Sequence, residues 1–365
     1  MAPLGSSEHI DAALAGALAR GQAPGFGAAV VADGKLQCAR AAGVTDAGTG
    51  VPLDADAAFL WFSMTKIVTA TAAMRLVDRG LLALDDDVES LVPGVLPART
   101  DGAVGVRHLL QHSAGIPNPP PIRWVRPASH APPDPDAFLR KRFARVKKLR
   151  FEPGTRSAYT NLGYLLLGSV IAAASKKPFT DYVHDELLEP LRMHATSFAF
   201  SQGSVTAIGH QRLLRGFGPF LTMALPRGIV GSRAGRWMRF QPFLVNGAAY
   251  GGLAGPVTEA ARIVQLHTNG GEVDGVRILS ESAVREMQQI TSTGRPFDHG
   301  LGWFRKPEDR DREPAFVEHY GGGGGYHNLM RLYPGEGLGI VIMGNSTSYD
   351  VDALMDAIAK PWLGR

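Results

Sequence analysis

The sequence predicts an α/β (α+β) protein: an antiparallel sheet built from both ends of the chain, flanked by terminal helices, with a helical lobe inserted between its halves. Three observations lead there. Near the start, apolar runs at 27–32 and 36–41 flank Asp33-Gly34, a pair that favours a tight hairpin turn. Near the end come four short runs rich in aromatic and β-branched residues, at 301–304, 316–319, 329–333 and 338–343, with Pro334-Gly335 turning between the last two. Between these regions the readable pattern is helical. With 365 residues, 45% of them apolar and 20% charged, the chain can bury a large core or form two lobes, and it lacks the composition of a disordered protein.

In chain order, Ile10, Leu14 and Leu18 recur at helical spacing behind a Ser6-Ser7 cap. After the hairpin, 63–78 is a long helix-forming run closed by Gly80, and reads as a largely buried helix. Further helices are predicted at 106–112, 136–149, 161–175, 179–187, 257–269 and 280–288. Residues 117–135 hold eight prolines in nineteen positions, so no packed element fits and a surface loop or flap is expected. The stretch 213–246, dense in Phe, Leu, Met, Trp and Arg, matches no pattern, and a helix at 353–362 closes the chain. These assignments divide the chain into an α/β lobe formed by 1–82 and 290–365 and a mainly helical lobe over 83–289. A cleft between the two is where a site is expected.

Charge and cysteine content exclude several classes. The net charge is only +4, and the one strong basic run, 140–150, alternates with Leu139, Phe143, Val146 and Leu149 at helical spacing. It reads as a solvated helix face, so no nucleic-acid partner is expected. A single cysteine, Cys38, rules out an intrachain disulfide and reads as a buried, inert thiol on a strand. No run approaches the roughly 18–20 apolar residues of a membrane span, and the nearest, 217–231, contains Pro219, Pro226 and Arg227. Glu8 and Asp11 argue against a signal peptide, so a cytoplasmic location is expected. A homo-oligomer stays open.

Three motifs carry chemistry. In Ser63-Met64-Thr65-Lys66 the hydroxyl and the amine share one helix face three residues apart. A serine hydroxyl needs a neighbour to take its proton, and a desolvated lysine can do so. Alone the motif is weak, because such a spacing arises about once by chance in a chain of this length. Tyr159-Thr160-Asn161 opens an apolar helix; a phenol beside a charged lysine is stabilised as phenolate and can act as a base, while Asn161 offers an amide to Lys66 and to an acyl group. His319-Tyr320-Gly321 ends a strand and leads into five glycines, 321–325, whose backbone N–H groups can hold an oxyanion. Tyr326-His327-Asn328 repeats the Tyr-x-Asn spacing in a less suitable place. No G-x-S-x-G, H-E-x-x-H or phosphate-loop motif occurs, so no metal and no cofactor are expected. His108, His112, His299 and His327 read as core or loop histidines.

The three motifs in this order resemble the serine β-lactamase and penicillin-recognising superfamily. The Tyr-x-Asn element is similar to its class C branch, which includes class VIII carboxylesterases and D-amino-acid-specific peptidases. The resemblance covers most of the chain, with Leu109-Leu110-Gln111-His112-Ser113-Ala114-Gly115-Ile116-Pro117, Asn161-Leu162-Gly163-Tyr164 and His299-Gly300-Leu301-Gly302-Trp303-Phe304 also fitting. It implies a class C β-lactamase-like fold with Ser63 as nucleophile at a helix start. Tyr159, with Lys66, would accept the Ser63 proton and return it to the leaving group. Asn161, His319, Gly321 and Gly322 would bind substrate, with the backbone N–H groups of Ser63 and Gly322 as oxyanion donors. One departure stands out: His319 occupies the place where true β-lactamases usually carry a lysine that seats the substrate carboxylate. The implied activity is that of a carboxylesterase on short to medium acyl esters, with 213–246 lining an acyl pocket. A β-lactamase, a D-aminopeptidase or D-Ala carboxypeptidase, an acyltransferase and a non-catalytic scaffold are the alternatives. The partner expected is a small-molecule ester or amide substrate.

Overall fold

Asp33 and Gly34 both take left-handed backbone angles (φ 51° and 68°), the geometry of the hairpin turn that their sequence predicts. They join strands Gly25–Ala32 and Lys35–Gly43. In this computed structural model, which describes residues 6–97, 102–201, 203–212 and 222–363, the hairpin is one edge of a seven-stranded sheet. The order across the sheet is Asp298–His299, Phe304–Arg305, Val317–Gly323, Tyr326–Tyr333, Leu338–Gly344, Gly25–Ala32 and Lys35–Gly43, with every neighbour antiparallel. The two chain ends meet in register, Phe26 opposite Gly344 and Ala32 opposite Leu338.

Both faces of strands Gly25–Ala32 and Leu338–Gly344 are covered, so their residues are apolar throughout and buried at every position. The period of two sorts them between two cores. Ala28, Val30, Leu329, Ile340 and Ile342 pack with Ile10, Leu14, Leu354, Ile358 and Trp362 of the terminal helices Ser6–Ala19 and Val351–Leu363. Ala29, Val31, Met330, Val341 and Met343 face the other way, towards Val257, Ile263 and Val264 of helix Val257–Thr268. That helix comes so close that a side chain at Gly339 would meet Val264 Cγ1 at 2.1 Å. It therefore packs on the sheet, although its place in the chain puts it within the 83–289 stretch.

On the same side lies the helical part. Thr65–Asp78, buried without interruption from Thr65 to Met74, packs against Asn161–Ser175 and the short helix Ala248–Gly251. Thr160 caps Asn161–Ser175 by accepting from Gly163 N at 3.4 Å. Short strands accompany the helices here and were not marked by the sequence pattern. His210–Arg212, Trp237–Phe240 and Val230–Ala234 form a three-stranded sheet, and Val125–Pro127 pairs with Phe243–Val245. The proline-rich 117–135 is thus tied down, with Trp124 buried at its centre.

Three further expectations are corrected. The basic helix spans only Pro135–Phe143; continued to 149, it would set Lys141 against Arg145 and Arg145 against Lys148 at repelling spacings. Of 301–304 only Phe304 lies in a strand, Leu301 to Trp303 forming a buried turn. The third strand does not stop before the glycines but runs through Gly321, Gly322 and Gly323. Cys38 is half-buried on its strand, with burial raising its thiol pKa. No helix among the described residues is long and apolar enough to cross a membrane.

Candidate active site

Strand Phe59–Leu60 pairs with Ala254–Gly255, and the Trp61 indole donates to Gly255 O at 3.1 Å. The next residue, Phe62, has a left-handed φ of 47°, an uncommon angle for a bulky residue. It opens the 3₁₀ turn Phe62–Met64 that leads into helix Thr65–Asp78, and so sets Ser63 at the mouth of that helix. One turn on, Lys66 Nζ lies 3.1 Å from Ser63 Oγ.

Lys66 is fully buried, and burial holds its pKa well below the usual lysine range. Its other contacts are to two carbonyl oxygens, Asn161 Oδ1 at 2.8 Å and the Tyr250 backbone oxygen at 2.7 Å. Carbonyls only accept, so a neutral amine spends its two hydrogens on them. Its lone pair is left for the one neighbour that can also donate, the Ser63 hydroxyl. The rings of Tyr159, Tyr164 and Tyr250 surround Nζ at 4.9, 5.6 and 5.4 Å.

Tyr159 is partly buried, and loss of solvation pushes its phenol pKa up, against a hydrogen bond with Ser63 that pulls it down. The expected phenolate beside a charged lysine is therefore corrected: desolvation favours neutral phenol and neutral amine together. Its ring packs against His112 (centroids 4.6 Å apart), His319 (6.1 Å) and His299 (6.4 Å). His112 accepts from Thr160 N at 3.1 Å, which ties the start of helix Asn161–Ser175 to this wall. Burial lowers the pKa of His299 to about 3 and that of His112 well below the usual value, so both rings are neutral spacers.

His319 is also buried, and burial keeps its pKa well below the histidine range. Its Nδ1 lies 2.7 Å from the Tyr320 carbonyl, which can only accept, so the proton sits on Nδ1. Nε2 is then a bare lone pair with no partner among the described residues. Next to it, Gly321 packs so tightly on the preceding segment that a Cβ would stand 2.0 Å from the Trp61 carbonyl oxygen. Gly322, Ser63 and Asn161 all line one cavity of about 300 Å³.

Apart from those polar groups and from Gln211 and Tyr250, the cavity wall among the described residues is apolar. Phe62, Ile122, Val125, Leu225, Ile229, Phe240, Phe243 and Val245 line it. Five of these come from 213–246, the stretch expected to supply an acyl pocket; its residues Phe217, Phe220 and Leu221 lie outside the described residues. The structure thus brings Ser63, Lys66, Tyr159, Asn161, His319, Gly321 and Gly322 together. Sequence reasoning missed the Tyr250 carbonyl, for which a backbone atom leaves no signal. It read His112 and His299 as core or loop histidines, and both are buried, as rings packed against Tyr159.

Comparison with known proteins gives the family and the fold. The Beta-lactamase family model matches residues 10–360. The D-alanyl-D-alanine-carboxypeptidase/endopeptidase AmpH of Escherichia coli (strain K12) is 25% identical over 325 residues, covering 87% of this chain and 78% of AmpH. Esterase EstB of Burkholderia gladioli is 26% identical over 373 residues, covering 94% of this chain and 91% of its own. Among solved structures, an octameric penicillin-binding protein homologue from Pyrococcus abyssi superposes with a TM-score of 0.79 at 25% identity, over 98% of this chain and 78% of that one. With a family match over nearly its whole length, the chain belongs to the Beta-lactamase family and is a serine hydrolase.

Proposed function

We propose that this hydrolase is a carboxylesterase for short to medium acyl esters, acting through an acyl-enzyme on Ser63. The observation that carries the reading is the cavity on Ser63, whose wall among the described residues holds no charged side chain. An uncharged, largely apolar wall suits the acyl chain of a neutral ester and offers no cation to a carboxylate. The similarity to esterase EstB supports the same reading, whereas the similarity to AmpH favours peptide substrates and sets the alternative to be tested.

In this mechanism the neutral Lys66 amine takes the Ser63 proton as Oγ bonds to the ester carbonyl carbon. The backbone N–H groups of Ser63 and Gly322 hold the resulting oxyanion. Tyr159 gives its phenolic proton to the departing alkoxide and recovers one from the Lys66 ammonium, which closes the proton count. Water attacks the acyl-enzyme along the same path in reverse and releases the acid. Asn161 holds Lys66 through its carbonyl and keeps its amide hydrogens for the substrate. By analogy with the octameric homologue, assembly into a homo-oligomer is part of the proposal.

Two measurements test it. Turnover of p-nitrophenyl acetate through decanoate, beside a chromogenic cephalosporin and a D-alanyl peptide, should favour the esters. A kcat/KM for the peptide or the cephalosporin equal to that of the best ester would replace the reading. Ser63→Ala should lower ester turnover by at least ~10³-fold with unchanged thermal unfolding, as loss of a sole nucleophile does.

A further inference from the structure

A second cavity of about 300 Å³ lies behind the candidate active site and shares only Val245 with the first. Its wall is apolar, with Phe138, Leu165, Ala172, Phe179 and Phe198 prominent. Among the described residues one charged side chain reaches it, Arg126, which is half-buried. The Arg126 guanidinium donates to three neutral oxygens: His130 O at 3.0 Å, Val245 O at 3.1 Å and Asn246 Oδ1 at 3.2 Å. No carboxylate among the described residues pairs with it, although fourteen other Lys and Arg side chains among those residues do have acidic partners within 4.0 Å. A partly desolvated guanidinium that lines an apolar chamber and donates only to neutral oxygens is a ready partner for an anion.

We propose that this chamber is a second small-molecule site, and that its occupant is an apolar monocarboxylate with its chain against the aromatic wall and its carboxylate on Arg126. The volume is at the lower end of the roughly 300–1,000 Å³ typical of ligand sites, which suits a medium-length acid. The site has a direct mechanical link to the reaction centre. Ala248, Ala249 and Gly252 form its wall, and from the same turn the Tyr250 carbonyl holds Lys66 Nζ while the Ala249 carbonyl accepts from Thr69 Oγ1, each at 2.7 Å. An occupant therefore touches the back of the segment that positions Lys66. If the enzyme is an esterase such acids are its own products, but the site does not depend on that reading.

Calorimetric titration with octanoate and with octanamide, on protein whose Ser63 has been capped by a fluorophosphonate, tests the site apart from the acyl cavity. Octanoate should bind saturably to the capped protein, and octanamide roughly ten- to a hundredfold more weakly, as expected for loss of a charged hydrogen bond. Ala172→Phe, which fills the chamber, should abolish binding while p-nitrophenyl acetate turnover persists. Arg126→Gln covers the case in which that variant does not fold: it should weaken octanoate and leave octanamide unchanged. Absence of saturable binding to the capped protein, equal affinity for the two ligands, or octanoate affinity unmoved by Arg126→Gln would each overturn the proposal.

Discussion

Burial decides the charge state of the residues around Ser63. Lys66 has its pKa driven down by desolvation, and only its neutral form has a lone pair to offer the Ser63 hydroxyl. Below the Lys66 pKa the amine is protonated and activity is lost, so kcat/KM should rise with pH along a limb lying well below the ordinary lysine range. An ascending limb near pH 10 would contradict this. Stability carries the same sign. Between the depressed folded pKa and the unfolded value the unfolded chain binds more protons, so stability rises with pH across that window. Lys66→Met should flatten the rise in denaturant unfolding. His319 is the other informative residue, since it stays neutral and presents no donor at Nε2. His319→Lys should raise acylation by a cephalosporin relative to p-nitrophenyl acetate, by roughly ten- to a hundredfold if the new ammonium reaches the carboxylate. A parallel fall in both rates would instead mean that His319 orients Tyr159.

Among the elements, the strands Val317–Gly323 and Tyr326–Tyr333 carry a buried ion network towards the C-terminal helix. Arg331 binds Glu318 (2.8 Å from Nε), Asp356 (2.7 Å) and Asp352 (3.2 Å), with Arg331 and Glu318 almost fully buried. Burial already raises the Glu318 pKa against the pull of Arg331. Arg331→Met should cost about 3–5 kcal/mol at pH 7, because it leaves Glu318 buried without its cation. The deficit should shrink as pH falls and Glu318 becomes protonated; a constant deficit in denaturant titrations across pH would mean that packing, not charge, is lost. The elements themselves were largely legible. The hairpin, Thr65–Asp78 and Asn161–Ser175 follow from turn residues, caps and apolar runs that act locally. The strands of 213–246 were not, because elements of three to five residues owe their form to the neighbours they pair with.

At the scale of the whole molecule, the sheet joins residues over three hundred positions apart, and the same closure brings 117–135 and 222–246 to the mouth of one cavity. If that cavity takes the acyl chain, Ile122→Ser with Leu225→Ser should penalise long esters more than acetate, since each buried methylene is worth about 0.8 kcal/mol. A uniform loss from acetate to decanoate would assign the pair to folding instead. By itself the sequence determined the sheet built from both chain ends and named the candidate reacting groups, because turn chemistry and apolar periodicity are local properties of the chain and the three motifs are read together. Only the tertiary structure decided the protonation states, the Tyr250 carbonyl that holds Lys66, and the uncharged wall facing Ser63. Those depend on which distant segments exclude water from the site, and solvent exclusion is a property of the packed molecule rather than of any stretch within it.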